Sequence, residues 1–140
     1  MSVRTSSAQW NGDLKNGNGQ FTVGEDAWTG AYTFASRFEE GPETNPEELV
    51  GAALASCYSM FLANVLASDG ATVNHVRSQA KVHLERLDDG PAVTRIELTT
   101  TASVDGIDEA GFQEKVEASK KCPISKLVTG AEVTVDATLE

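Results

Sequence analysis

The longest stretch of nearly unbroken apolar residues runs from Thr44 to Gly70, TNPEELVGAALASCYSMFLANVLASDG, and predicts one long helix. Between Leu49 and Leu66 the one strongly polar residue is Asn64, and Ser56 and Ser59 are small enough to bury. A helix that is apolar nearly all round needs cover on every side, from a sheet, from a second helix or from a partner chain. Its start is specified locally: Asn45 can cap, Pro46 suits the first helical position, and Glu48 completes a capping box. Gly70 predicts its end.

On either side of this helix the pattern alternates. SSAQWNG and QFTVG flank the segment Asp13 to Gly19, DLKNGNG, which predicts a hairpin using Asn16-Gly17 and Asn18-Gly19 for positive φ. A third strand is expected from Trp28 to Phe38, with Tyr32, Phe34, Ser36 and Phe38 on one face and Thr33, Ala35 and Arg37 on the other. EEGPE, Glu39 to Glu43, is then a polar loop feeding the helix. Beyond Gly70, Val73 to Leu87 puts Val73, His75, Arg77 and Lys81 on one face and Val76, Ser78, Ala80, Val82 and Leu84 on the other. Asp88-Asp89-Gly90-Pro91 reads as a turn into a second alternating strand, Ala92 to Val104, giving an antiparallel hairpin. Ile107 to Lys121 predicts an amphipathic helix interrupted at Gly111. Cys122-Pro123 reads as the cap and first position of a short helix, PISKLVTG, ended by Gly130, and Ala131 to Leu139 as a final strand. The order βββ, α, ββ, αα, β, without internal repeats, is an α+β pattern.

Length and charge narrow the class. The 140 residues are the size of a single domain spanning 1–140. A formal charge of −10, with the Lys and Arg scattered among acids, argues against a nucleic-acid or anionic-membrane partner. MSVRTSSAQW lacks the apolar core of a signal peptide, and the long helix is rich in small residues and flanked by acids, so the expectation is an acidic protein of the cytoplasm. In such a compartment two cysteines are more often chemical than a structural staple. His75 and His83 lie eight residues apart on one strand face, roughly 26 Å in extended chain, too far for one metal site.

The candidate chemistry rests on Cys57, Cys122, Arg37 and Glu47. A thiol attacks as the thiolate, and burial in an apolar helix raises its pKa, so activation requires a nearby cation. Arg37 fits that role, with Glu47 at the helix start to hold its guanidinium. Cys122, at a helix start before Pro123, would be the second thiol, making the pair nucleophile and resolver. Each residue also has an ordinary reading: free cysteines are commonly core residues, Arg37 a strand charge, and Glu47 a helix-start acid. Glu47 and Cys57 are ten residues apart, about 15 Å along one helix, so one arginine cannot easily serve both within a single copy. Two copies packed antiparallel near Ala52, through Gly51, Ala52, Ala53 and Ala55, would bring Glu47 of each level with Cys57 of the other. That geometry predicts an obligate homodimer.

The run SRFEEGPETNPEELVGAALASCYSMFLANVL, with KKCPISK downstream, resembles the OsmC/Ohr family of osmotically inducible and organic hydroperoxide resistance proteins. The opening AQWNGDLKNGNGQF is similar to the OsmC branch rather than the Ohr branch. The resemblance implies an intertwined homodimer with antiparallel sheets around two long central helices. It also implies a thiol-dependent peroxidase without metal, prosthetic group or other cofactor. By the same resemblance Cys57 matches the peroxidatic cysteine, Cys122 the resolving cysteine, and Arg37 and Glu47 the residues that accompany them. An organic hydroperoxide would oxidise Cys57 to a sulfenic acid, Cys122 would close a Cys57–Cys122 disulfide, and a dithiol, lipoyl-type carriers included, would reduce it. An apolar pocket with Phe38 and Met60 in its wall would favour organic hydroperoxides over hydrogen peroxide. Two rival readings stand beside this one: a binding or scaffold dimer without turnover, and a protein thiol-disulfide oxidoreductase, which the absence of C-x-x-C disfavours.

Overall fold

The computed structural model describes residues Met1–Glu140. The chain forms two compact units, Met1–Leu49 and Val50–Glu140.

In the first unit, β1 (Ser6–Asn11), β2 (Asn18–Val23) and β3 (Trp28–Tyr32) form an antiparallel meander in the order β1-β2-β3. Aromatic pairs knit it together, Trp10 with Tyr32 at 5.4 Å and Phe21 with Trp28 at 5.1 Å between ring centroids. Gly19 lies beneath one of these pairs: a Cβ there would fall 2.5 Å from the Tyr32 ring and 2.7 Å from Trp10. The first hairpin forms as expected, but its positive φ is at Gly12 (90°) and not in the two Asn-Gly pairs. Asp13 shapes the turn by accepting the Asn16 N–H at 2.9 Å.

The expected third strand is half as long as its alternation suggested. The chain leaves the sheet at Tyr32 and forms a short helix, α1 (Phe34–Phe38), so Arg37 is a helical residue. The cause is local: the Ser36 N–H donates to Thr33 Oγ1 at 3.1 Å and the Thr33 N–H donates to Ser36 Oγ at 2.8 Å, a closed capping box. Phe34 and Phe38, read as alternate strand positions, instead meet at i, i+4 spacing with rings 5.0 Å apart.

The long helix is α2 (Pro46–Ser68). Asn45 caps it, the Glu48 N–H donating to Asn45 Oδ1 at 2.8 Å, but the reciprocal backbone half of the expected capping box is replaced by side-chain bonds: the Glu48 carboxylate accepts from Asn45 Nδ2 at 3.1 Å and Thr44 Oγ1 at 2.7 Å. Gly70, at φ 89°, ends it in a left-handed turn whose N–H reaches the Ala67 carbonyl at 3.0 Å.

In the second unit Leu54, Tyr58, Leu62 and Leu66 of α2 form a fully buried stripe. They share a core with Ile96, Leu98 and Ala102, and with Phe112 and Val116. Ala52, Ala53, Ser56 and Met60 stand on another face that this chain leaves exposed. By length and composition α2 is apolar enough to cross a membrane, yet its leucine stripe is committed to this core.

The sheet of this unit consists of β4 (Thr72–Leu87), β5 (Gly90–Asp105) and β6 (Glu132–Leu139), in the order β4-β5-β6. β4 and β5 form the expected antiparallel hairpin, with Gly90 at φ 120° after the turn. A bulge between Val73 and His75 shifts the alternation, so Val73, assigned by simple alternation to the outer face, packs on the core as Val76 does. β6 runs parallel to β5, a departure from the antiparallel sheets expected. Parallel neighbours need a long crossover, which α3 (Glu109–Ser119) and α4 (Pro123–Leu127) supply. Gly111 does not interrupt α3: it lies in the first turn, donating its N–H to the Asp108 cap at 2.7 Å. Tyr58 Oη donates to the Val116 carbonyl at 3.2 Å, tying α3 to α2.

Candidate active site

Cys57 sits beside the buried stripe of α2, one position before Tyr58, and is half-buried. Cys122 has no exposed surface; it precedes Pro123 at the start of α4, where the backbone turns out of α3. Its N–H donates to the Ser119 carbonyl at 3.2 Å, and its Sγ lies 3.0 Å from Ser125 Oγ. Both thiols are free, and they are close enough to interact. Burial pushes the Cys57 thiol above its ordinary value; the Ile124 N–H directed at the sulfur pulls the other way, and the neighbouring Cys122 thiol pushes up again. A half-buried sulfur with one hydrogen-bond donor and a second thiol beside it is not ionised by these groups.

The charged half of the candidate set is in the first unit. Arg37, in the last turn of α1, grips Glu47 in the first turn of α2. Nε is 3.1 and 3.2 Å from the two carboxylate oxygens, and Nη2 is 2.8 Å from Oε1. This fork uses Nε and Nη2 and leaves Nη1 for another acceptor. Glu47 is 12% exposed and Arg37 38%, so the pair presents its cation outward. The Arg37 guanidinium also lies 5.3 Å from the centroid of the Phe38 ring.

Arg37 forms part of the wall of a cavity of about 400 Å³, together with Trp10, Leu14, Tyr32, Phe34 and Phe38. Phe38 is therefore where an apolar pocket was expected, but Met60 is not; it stands on the outer face of α2, 76% exposed. The helical turn at α1 is responsible, since it swings Phe34 and Phe38 toward the aromatic residues of the meander.

The structure thus joins the four candidates as two pairs, Arg37 with Glu47 and Cys57 with Cys122. Sequence reasoning missed Ser125, the Ile124 N–H and the Trp10, Leu14 and Tyr32 wall. A signal for Ser125 was available, because it stands three residues after Cys122 in a segment expected to be helical. The histidines form unrelated contacts: His75 with Glu140 at 3.2 Å, and His83 with Glu97 and Arg95. No group of three His, Cys, Asp or Glu side chains is arranged to hold a metal ion.

Comparison with known proteins extends these observations. The family model described as OsmC-like protein matches residues 39–138. The chain is 38% identical over 135 residues to a protein named Peroxiredoxin OsmC from Escherichia coli K12, covering 95% of this chain and 94% of that one. An equally similar protein of the same name occurs in Shigella flexneri. Among solved structures, an OsmC-like protein of unknown function from Vibrio cholerae superposes with a TM-score of 0.79 at 16% identity, over 99% of this chain and 100% of that one. The organic hydroperoxide resistance protein OhrB of Bacillus subtilis gives 0.70 at 23% identity, over 96% and 98%. At those identities the structural matches speak to the fold.

Proposed function

The chain belongs to the OsmC-like family, and on that premise we propose that it is a cysteine-based peroxidase acting on organic hydroperoxides. The observation that carries the reading is the meeting of Cys57, a half-buried thiol, with Cys122, a fully buried one. Two free thiols brought together from distant parts of the chain fit a disulfide that opens and closes.

The reaction proceeds in three steps. The Cys57 thiolate attacks one oxygen of the hydroperoxide, the O–O bond breaks, and the alkoxide leaves as an alcohol after taking a proton, while Cys57 becomes a sulfenic acid. The Cys122 sulfur attacks that sulfenic acid, expels water and closes the Cys57–Cys122 disulfide. A dithiol then reduces the disulfide and is itself oxidised. No metal or prosthetic group enters these steps.

Arg37 supplies the cation that the thiolate needs, and Glu47 fixes the guanidinium so that Nη1 can face an anion. The exposed face of α2, with Ala52, Ala53 and Met60, supports a second copy as its cover. In an antiparallel homodimer through this face, the Glu47 end of one helix comes level with Cys57 of the other copy. Arg37 of one copy then serves Cys57 of its partner. The aromatic cavity beside Arg37 suits an apolar substituent on the hydroperoxide and offers a small hydrophilic peroxide little.

Thiol titration before and after one equivalent of cumene hydroperoxide tests this reading. Loss of both thiols, with a Cys57–Cys122 linkage in the peptide map, is expected. Unchanged thiols would leave a non-catalytic dimer of the same fold.

A further inference from the structure

Cys122 and Cys57 differ in access, and Cys122 alone has a hydroxyl against its sulfur. We infer that Ser125 is the hydrogen-bond donor that makes Cys122 the leaving group when the disulfide is reduced, so that the incoming reductant attacks Cys57. This assignment rests on the Cys57–Cys122 disulfide of the peroxidase reading.

Thiol-disulfide exchange is decided by which sulfur can be reached and by which sulfur departs more easily as an anion. Access favours Cys57, because Cys122 is 0% exposed and the Cys57 side of α2 is only partly covered. Departure of Cys122 is eased by a local donor. Its Sγ lies 3.0 Å from Ser125 Oγ, and once that sulfur carries a negative charge the hydroxyl can act only as donor to it. The Ser125 hydroxyl is positioned by α4, at i, i+3 from Cys122, and Lys126 N–H to Cys122 O at 3.0 Å keeps that turn closed.

In the reductive step one thiolate of a dithiol attacks Cys57 Sγ. The Sγ–Sγ bond breaks, its electron pair goes to Cys122 Sγ, and the Ser125 O–H stabilises the thiolate that forms. The second thiol of the reductant, after losing its proton, attacks its own sulfur in the mixed disulfide. Cys57 is released as a thiolate, and the reductant leaves as a cyclic disulfide.

The test begins with oxidation of the wild-type chain by diamide, so that disulfide formation does not depend on peroxide chemistry. The oxidised protein is mixed with a large excess of the monothiol glutathione, quenched in acid at early times, alkylated with N-ethylmaleimide and mapped by mass spectrometry. The expected result is the glutathione adduct on Cys57 and the alkyl group on Cys122; an adduct on Cys122 would overturn the inference. Reduction of the same disulfide by dithiothreitol should slow about tenfold in Ser125→Ala, the usual worth of a hydrogen bond to a charged sulfur, and recover in Ser125→Thr. Equal rates in all three proteins would also overturn it. If Ser125→Ala does not fold, the wild-type adduct map decides alone. Failure of diamide to close the disulfide would overturn this inference, while peroxide consumption by the untreated wild type reports separately on the peroxidase reading.

Discussion

The first unit holds its chemistry as charge and the second holds it as uncharged sulfur, and each lacks what the other has. Arg37 and Glu47 form a forked ion pair at a helix start, open enough that the guanidinium keeps donors to spare. Cys57 and Cys122 lie against an apolar core where burial holds the Cys57 thiol neutral. A cation that has already found a carboxylate costs little to keep in place, whereas a thiolate placed among leucines costs several kcal/mol unless a cation arrives. In the proposed reading, the sulfur folds as a hydrophobe and becomes a nucleophile only where the charge is brought to it.

The largest effect should come from the sulfurs. Cys57→Ser should abolish hydroperoxide turnover, a loss of at least about 10³-fold, because a hydroxyl does not ionise at neutral pH as a thiol does. Cys122→Ser should consume about one equivalent of hydroperoxide and then stall, with the sulfenic acid trapped by dimedone. Single-turnover and steady-state assays of both variants check the order of the steps.

Smaller effects separate the two regions by stability. Leu62→Ala removes a fully buried side chain from the core that carries the thiols and should cost about 3 kcal/mol in chemical denaturation. Asn45→Ala removes the cap beside the ion pair and should cost about 1 kcal/mol. Equal losses would mean that the charged region depends on the rest of the fold as heavily as the sulfur core does.

The contrast also explains what the sequence made legible. The start of α2 and its glycine stop were readable because Asn45, Pro46, Glu48 and Gly70 act over a few residues. The β4–β5 hairpin was readable because its two strands are adjacent in the chain. Arg37 was misplaced on a strand because Phe34, Ser36 and Phe38 satisfy a strand period, while the Thr33–Ser36 box that outweighs it is two side-chain hydrogen bonds. The parallel pairing of β6 was not readable, since it depends on how α3 and α4 carry the chain back. The pairing of Cys122 with Cys57 was proposed from thiol chemistry and reinforced by family resemblance; spacing alone cannot predict a contact between residues 65 positions apart.

The account stands or falls on Arg37 ionising a sulfur that its own surroundings keep neutral. In the Cys122→Ser background, the rate of iodoacetamide alkylation at Cys57 followed against pH gives the thiol's midpoint with Arg37 present and in Arg37→Met. The account predicts a midpoint well below the ordinary 9.0 with the arginine and above it without, as burial alone dictates. The same midpoint in both proteins would contradict it.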